Sequence, residues 1–138
     1  DTDVLLEKRH DRSLQQILNH YGYMELRELE AKEILALTGR NSVIATGGSA
    51  VYSSAAMNYL KSISTIIFLD IRLTTLIERV DNFSQRGISR APEQSLEMLY
   101  QERLALYKKY SDFNIISDGK TPKMVLDEVL DFYLGKPE

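Results

Sequence analysis

Three short runs of the chain stand out as rich in β-forming residues: Ser42-Val43-Ile44-Ala45-Thr46, Thr65-Ile66-Ile67-Phe68-Leu69 and Phe113-Asn114-Ile115-Ile116. The first two are nearly continuously apolar, which predicts strands buried on both faces of a parallel sheet. Around them the apolar positions recur at helical spacing, with polar residues marking the ends. Ser13 with Gln16 reads as a capping box opening a short helix that Gly22 closes. The next helix turns Leu26, Leu29, Ile34 and Leu37 to the core and is predicted to stop at Gly39. Ser53 caps a helix holding Ala56, Met57 and Leu60, and Leu73, Leu76, Ile77 and Val80 mark another. Ser95 opens a long helix with Leu96, Leu99, Leu106 and Tyr110, and Thr121-Pro122 is N-cap and N1 of a last one carrying Val125, Leu126, Val129 and Leu130. Strand, helix, strand, helix, strand, helix predicts an α/β domain with right-handed crossovers. About half the helices precede the first strand, so they are expected to be poorly covered, as if opening strands were missing.

Composition narrows the function classes. The 138 residues are 43% hydrophobic and 27% charged, with no internal repeat or composition break, which fits one ordinary globular domain. With no cysteine, disulfides, thiolate metal sites and thiol nucleophiles are excluded, and a reducing cytoplasm is expected. No apolar run approaches the ~18 residues of a membrane span. A net charge of −3 argues against nucleic acid as a partner. Only His10 and His20 are present, which argues against a histidine metal site or triad.

Candidate chemistry lies in four places. Asp1 and Asp3, two apart at the end of an extended segment, would face the same side and could hold Mg²⁺ and accept a hydroxyl proton. The alternative is an acidic cap on a helix over 4–9. Ala45-Thr46-Gly47-Gly48-Ser49 follows a buried strand, where two glycines admit a ligand close to the backbone, or simply make a tight turn. Arg27 and Arg103 lie on helices and would by default be solvated. The polar, basic stretch 81–93 carries Arg86, Gly87 and Arg90, and suits either a lid over phosphates or a surface loop.

In order and spacing, these segments resemble the shikimate kinase family along the whole chain. Asp1-Thr2-Asp3 is similar to the family's Asp-x-Asp, Leu26-Arg27-Glu28-Leu29-Glu30 to its Phe-Arg-x-x-Glu, and Ala45-Thr46-Gly47-Gly48-Ser49 to its Ala-Thr-Gly-Gly-Gly. Glu102-Arg103-Leu104-Ala105-Leu106-Tyr107 is similar to its Glu-Arg-x-x-x-Tyr helix. The resemblance implies a P-loop NTPase-like three-layer α/β/α fold with a parallel sheet, of which the family has five strands and this chain would lack the first two. It implies transfer of the γ-phosphoryl of ATP, with Mg²⁺, to the 3-hydroxyl of shikimate, on the route to aromatic amino acids. It places Asp1 on Mg²⁺ through water, Asp3 as base and hydroxyl ligand, and Arg27 and Arg103 on the substrate carboxylate. Gly47 and Gly48 would shape the cradle, Arg86 or Arg90 would be the lid arginine on the phosphates, and the protein would be a cytoplasmic monomer.

Three departures qualify this. The glycine-rich Gly-x-x-x-x-Gly-Lys-Ser/Thr loop does not occur, and it and its strands would occupy roughly thirty residues before Asp1. Residues 1–138 alone are therefore expected to be inactive. Ser49 replaces a third glycine, and Arg86-Gly87-Ile88-Ser89 stands where the family lid has Arg-Pro-Leu-Leu. Two alternatives follow: a kinase for another hydroxylated carboxylate or a nucleotide, or a kinase-like binding module without catalysis. Retention of both Arg27 and Arg103 favours a carboxylate over a nucleotide.

Overall fold

Hydroxyl side chains open most of the helices. In the computed structural model, which describes residues 1–80 and 87–135, Ser13 accepts from the Gln16 N–H while the Gln16 side chain accepts from the Ser13 N–H, closing the capping box of α2 (Leu14–Tyr21). Ser53 caps α4 (Ser54–Ile63), Ser95 caps α6 (Leu96–Tyr110), and Thr121 followed by Pro122 starts α7 (Pro122–Leu134). Gly22, at φ +85°, closes α2 and leads directly into α3 (Tyr23–Leu35). Upstream, α1 (Thr2–His10) is capped by Asp1, and α5 (Leu73–Arg79) follows the first strand. A single 3₁₀ turn, Ala50–Tyr52, precedes α4.

The sheet among the described residues has two strands, β1 (Ile67–Asp70) and β2 (Phe113–Ile116). They run parallel, pairing Ile67 with Phe113 through to Asp70 with Ile116, with α5 and α6 in the connection. This is an α/β fold on a parallel sheet, with strands at two of the three expected runs; the expected burial on both faces is not met, since no residue of β1 is buried, and Leu69 and Ile116 are exposed.

Three expectations need correction. The apolar run 42–46 forms no strand, and Val43 is 96% exposed. A strand requires a neighbouring ladder, and here the backbone instead meets the start of α1, where the Thr2 N–H donates to the Ala45 carbonyl at 2.9 Å. The third helix ends at Leu35, not Gly39: the Ala36 and Leu37 N–H groups turn back to Lys32, Glu33 and Ile34 in a tightened last turn, and the Leu37 carbonyl accepts from the Tyr59 hydroxyl. The helices upstream of the sheet are only partly uncovered. Leu6, Ile17 and Leu26, from α1, α2 and α3, are at most 2% exposed in a cluster of their own, while Val4, Leu5 and Met24 stay exposed.

The second core joins α3, the 3₁₀ turn, α4 and α6 through Ile34, Ala50, Val51, Met57, Leu60 and Tyr110. These packed elements fix the turn at Gly47–Gly48 between α1, α3 and α6. Of the expected lid over 81–93, residues 81–86, including Arg86, lie outside the described residues.

Candidate functional site

A cavity of about 190 Å³ opens at that turn, lined by Asp3, Glu30, Gly47, Gly48, Ser49, Ile88, Ser89 and Arg103 among others. Each wall follows from a local rule. Asp3 sits in the first turn of α1, where a carboxylate meets the positive end of the helix dipole. Glu30 is one turn beyond Leu26 on α3, so the helical repeat that buries Leu26 also carries Glu30 inward, to 5% exposure. Arg103 projects from the middle of α6, one turn before Tyr107, whose hydroxyl donates to the Gly48 carbonyl at 2.7 Å.

The glycines are required by close approach. A Cβ built on Gly47 would lie 2.1 Å from Glu30 Oε1 and 2.6 Å from Asp3 Oδ1. One on Gly48 would lie 2.7 Å from Arg103 Nη1 and 3.0 Å from the Tyr107 hydroxyl. Both carboxylates thus converge on one backbone atom and a guanidinium on the next. The atoms in the way are ends of side chains, which can move. Gly47→Ala is therefore expected to leave Tm within about 3 °C while weakening binding of the small molecule this cavity takes at least about tenfold. Thermal melts beside ligand titration check it, and a Gly47→Ala protein with normal ligand affinity would show that the close approach is incidental.

Arg27, in the middle of α3, is bound at the rim. Its Nε donates to the Ser89 hydroxyl at 3.0 Å, its Nη2 to the Ser89 carbonyl at 3.4 Å, and its guanidinium stacks 3.6 Å from the centre of the Tyr52 ring. Arg103 Nη2 donates to that same Ser89 carbonyl at 2.7 Å. The two arginines, 76 residues apart in sequence, therefore meet on one oxygen atom.

Three buried polar atoms in this region have no partner among the described residues: Asp3 Oδ1, Glu30 Oε2 and Arg103 Nε. Unpaired buried atoms of both signs are costly, because each lost its hydration without gaining a bond. Burial, then repulsion from Asp3, raises the Glu30 carboxyl to about 7 against the pull of Arg103 and Arg27. Burial also raises Asp3. A carboxyl whose folded pKa exceeds its unfolded value leaves the fold most stable below the unfolded pKa and less so as pH rises through the folded one. Glu30→Gln is thus expected to stabilise the protein at pH 8, by up to about 3 kcal/mol at 1.36 kcal/mol per pKa unit, and to have little effect below pH 4. Denaturant melts at the two pH values test this, and an equal effect at both would mean that Glu30 is not held protonated by its surroundings.

Asp1 and Arg90 do not line the cavity. Asp1 accepts from the Asp3 and Val4 N–H groups at 2.9 and 3.2 Å, as the acidic-cap alternative expects. Arg90 turns its Nη1 to the carbonyls of Gln94 and Pro92. Ser49 is buried against the cavity. Sequence reasoning gave no role to Ser89 and Tyr52, and read Tyr107 and Glu30 only as parts of motifs. The one legible signal was the Arg-x-x-Glu spacing, which puts Arg27 and Glu30 on neighbouring helix positions.

A sequence profile described as shikimate kinase matches residues 1–134. The chain belongs to the shikimate kinase family. Shikimate kinase of Aquifex aeolicus is 31% identical over 131 residues, covering 94% of this chain and 77% of that protein. That of a Sulfurihydrogenibium species is 30% identical, covering 94% and 78%. The crystal structure of the Aquifex shikimate kinase superposes with a TM-score of 0.79 at 30% identity over 99% of this chain and 83% of that one. The Acinetobacter baumannii shikimate kinase, solved with shikimate, reaches a TM-score of 0.86 over 98% and 77%; at 23% identity that likeness speaks for the fold alone. As a shikimate kinase-family member the protein is an ATP-dependent small-molecule kinase, which sets aside the binding-module alternative. Among the described residues no helix is long and apolar enough to cross a membrane.

Proposed function

We propose that the protein transfers the γ-phosphoryl of ATP to the 3-hydroxyl of shikimate, as a cytoplasmic monomer, with the cavity at Gly47–Gly48 as the acceptor site. The observation that carries this is the trio of unpaired buried atoms. Arg103 Nε calls for an anion, and Asp3 Oδ1 and Glu30 Oε2 call for hydroxyl donors. A small ring bearing one carboxylate and several hydroxyls answers all three, whereas a nucleotide base carries no anion for Arg103.

In this reading Arg27 and Arg103 hold the carboxylate, since a guanidinium fork matches its two oxygens. Gly47 and Gly48 let the ring lie against the backbone. Asp3 accepts a hydrogen bond from the reacting hydroxyl and takes its proton as that oxygen bonds to the γ-phosphorus and the bond to the ADP oxygen breaks. Glu30, raised to about 7 and so largely neutral below neutrality, keeps a second full charge away from Asp3.

Mg²⁺ in such a reaction needs only one or two protein carboxylates, because phosphates and waters complete its shell. Asp1 would hold it through water, and the ion would neutralise phosphate charge. These 138 residues contain no Gly-x-x-x-x-Gly-Lys-Ser/Thr loop. Asp1 and Arg86 or Arg90 apart, the residues named here act on the acceptor and not on the nucleotide.

The test is ADP release by the full-length enzyme with shikimate, with its methyl ester, and with other small hydroxy acids. Turnover of shikimate at least about a hundredfold above the ester is expected, since a site built to pair a polar group rejects the analogue lacking it. Equal turnover of acid and ester would refute the carboxylate clamp, and turnover of a different hydroxy acid alone would reassign the substrate.

A further inference from the structure

Ser89 holds both arginines at once. It is 3% exposed, and its neighbours fix every polar atom it points inward. The hydroxyl proton is donated to the Tyr23 carbonyl at 2.9 Å, so the oxygen lone pairs are left for Arg27 Nε at 3.0 Å. The Ser89 carbonyl takes Arg103 Nη2 and, at longer range, Arg27 Nη2. Tyr23 belongs to the first turn of α3 and Arg27 to the next, so Ser89 closes a ring from helix backbone through its hydroxyl to the guanidinium.

The segment carrying Ser89 is itself pinned. Gly87 adopts φ +63°, which side chains rarely accept, and its N–H donates to Gln15 Oε1 at 2.8 Å. A Cβ there would come within 2.7 Å of Leu14 Cβ and 2.9 Å of the Gln15 nitrogen. The carbonyl of Ser89 is thus presented to the arginines by a backbone with little freedom. Two guanidiniums drawn to one neutral oxygen still repel each other, and Arg103 Nε remains a buried donor without an acceptor among the described residues. The arrangement is pre-formed for an anion and incomplete without one.

We propose that Ser89 is a positioning residue for acceptor binding: its hydroxyl orients Arg27 and its carbonyl orients Arg103, so that both present donors to one carboxylate. This rests on the reading that those arginines bind the substrate carboxylate. The Ser89 hydroxyl touches no reacting atom, so its loss acts on affinity and not on the chemical step.

The experiment measures shikimate KM, ATP KM and kcat for the full-length enzyme carrying Ser89→Ala, Ser89→Thr, Arg27→Ala, and Ser89→Ala with Arg27→Ala. Losing one hydrogen bond to a charged group is expected to raise the shikimate KM about tenfold in Ser89→Ala. There kcat and ATP KM stay within about twofold, and Ser89→Thr, which keeps the hydroxyl, recovers most of the loss. In the Arg27→Ala background, Ser89→Ala adds less than about twofold, because the hydroxyl has lost the group it acts through. An unchanged shikimate KM in Ser89→Ala, alongside a weakened Arg27→Ala, overturns the role of Ser89 and leaves the clamp standing. A full tenfold effect of Ser89→Ala without Arg27 also overturns it, pointing to general packing. Unchanged shikimate binding in Arg27→Ala removes the clamp itself. If Ser89→Thr does not fold, the cycle with Arg27 still decides.

Discussion

Asp3→Asn is expected to lower kcat by about a hundred- to ten-thousandfold, the range over which a positioned general base contributes. Asparagine keeps the shape of the side chain and one acceptor oxygen, so helix α1 and the cavity should persist. It cannot take the proton of the attacking hydroxyl. Asp3 Oδ1 is buried and unpaired, which leaves it available for that proton, and Asp1, not Asp3, serves as the helix cap. Burial raises the Asp3 carboxyl, so the acid limb of the kcat/KM profile should lie above the ordinary carboxylate range and vanish in the variant. ADP release measured against pH, with circular dichroism as the control for folding, checks both parts. A variant retaining kcat within about threefold would remove Asp3 from the chemistry.

Arg103→Ala is expected to weaken shikimate about 10- to 150-fold, from roughly 1.5–3 kcal/mol for a charge-assisted contact at 1.4 kcal/mol per factor of ten. Arg27→Ala should fall in the same range but nearer its lower end, because two of its nitrogens go to Ser89 and its face to the Tyr52 ring, whereas Arg103 gives Ser89 one nitrogen and keeps its Nε unpaired. ATP affinity should change little in either. Lysine should restore only part of the loss, since it offers a point charge where a planar fork is needed. Were both arginines solvated, either change would stay within about ±0.5 kcal/mol, as surface substitutions do. Calorimetric titration of shikimate into the two alanine variants distinguishes the cases.

The helix starts were legible in the sequence because their signals are local. Ser13, Ser53, Ser95 and Thr121 each accept from a backbone N–H three residues on, and that bond depends on little beyond those residues. The two paired strands were legible for a related reason: runs such as Ile66-Ile67-Phe68-Leu69 have no polar face to expose. The run at 42–46 has the same character, yet pairing is a relation between two segments, and no sequence pattern within five residues contains the second one. The end of α3 was misplaced because a glycine signal at Gly39 gave way to the Tyr59 hydroxyl reaching the Leu37 carbonyl from α4.

The site divides along the same line. The chain by itself determined the chemical types: a carboxylate near the start, two glycines after an extended run, and arginines at 27 and 103. It could not determine that Gly47 brings two carboxylates to one atom, that Glu30 is buried enough to rise to about 7, or that Ser89, 62 residues from Arg27 and 14 from Arg103, supplies both with acceptors. Those are consequences of packing α1, α3 and α6 around one turn, where distance and desolvation, which no local pattern encodes, set the strength of every charge.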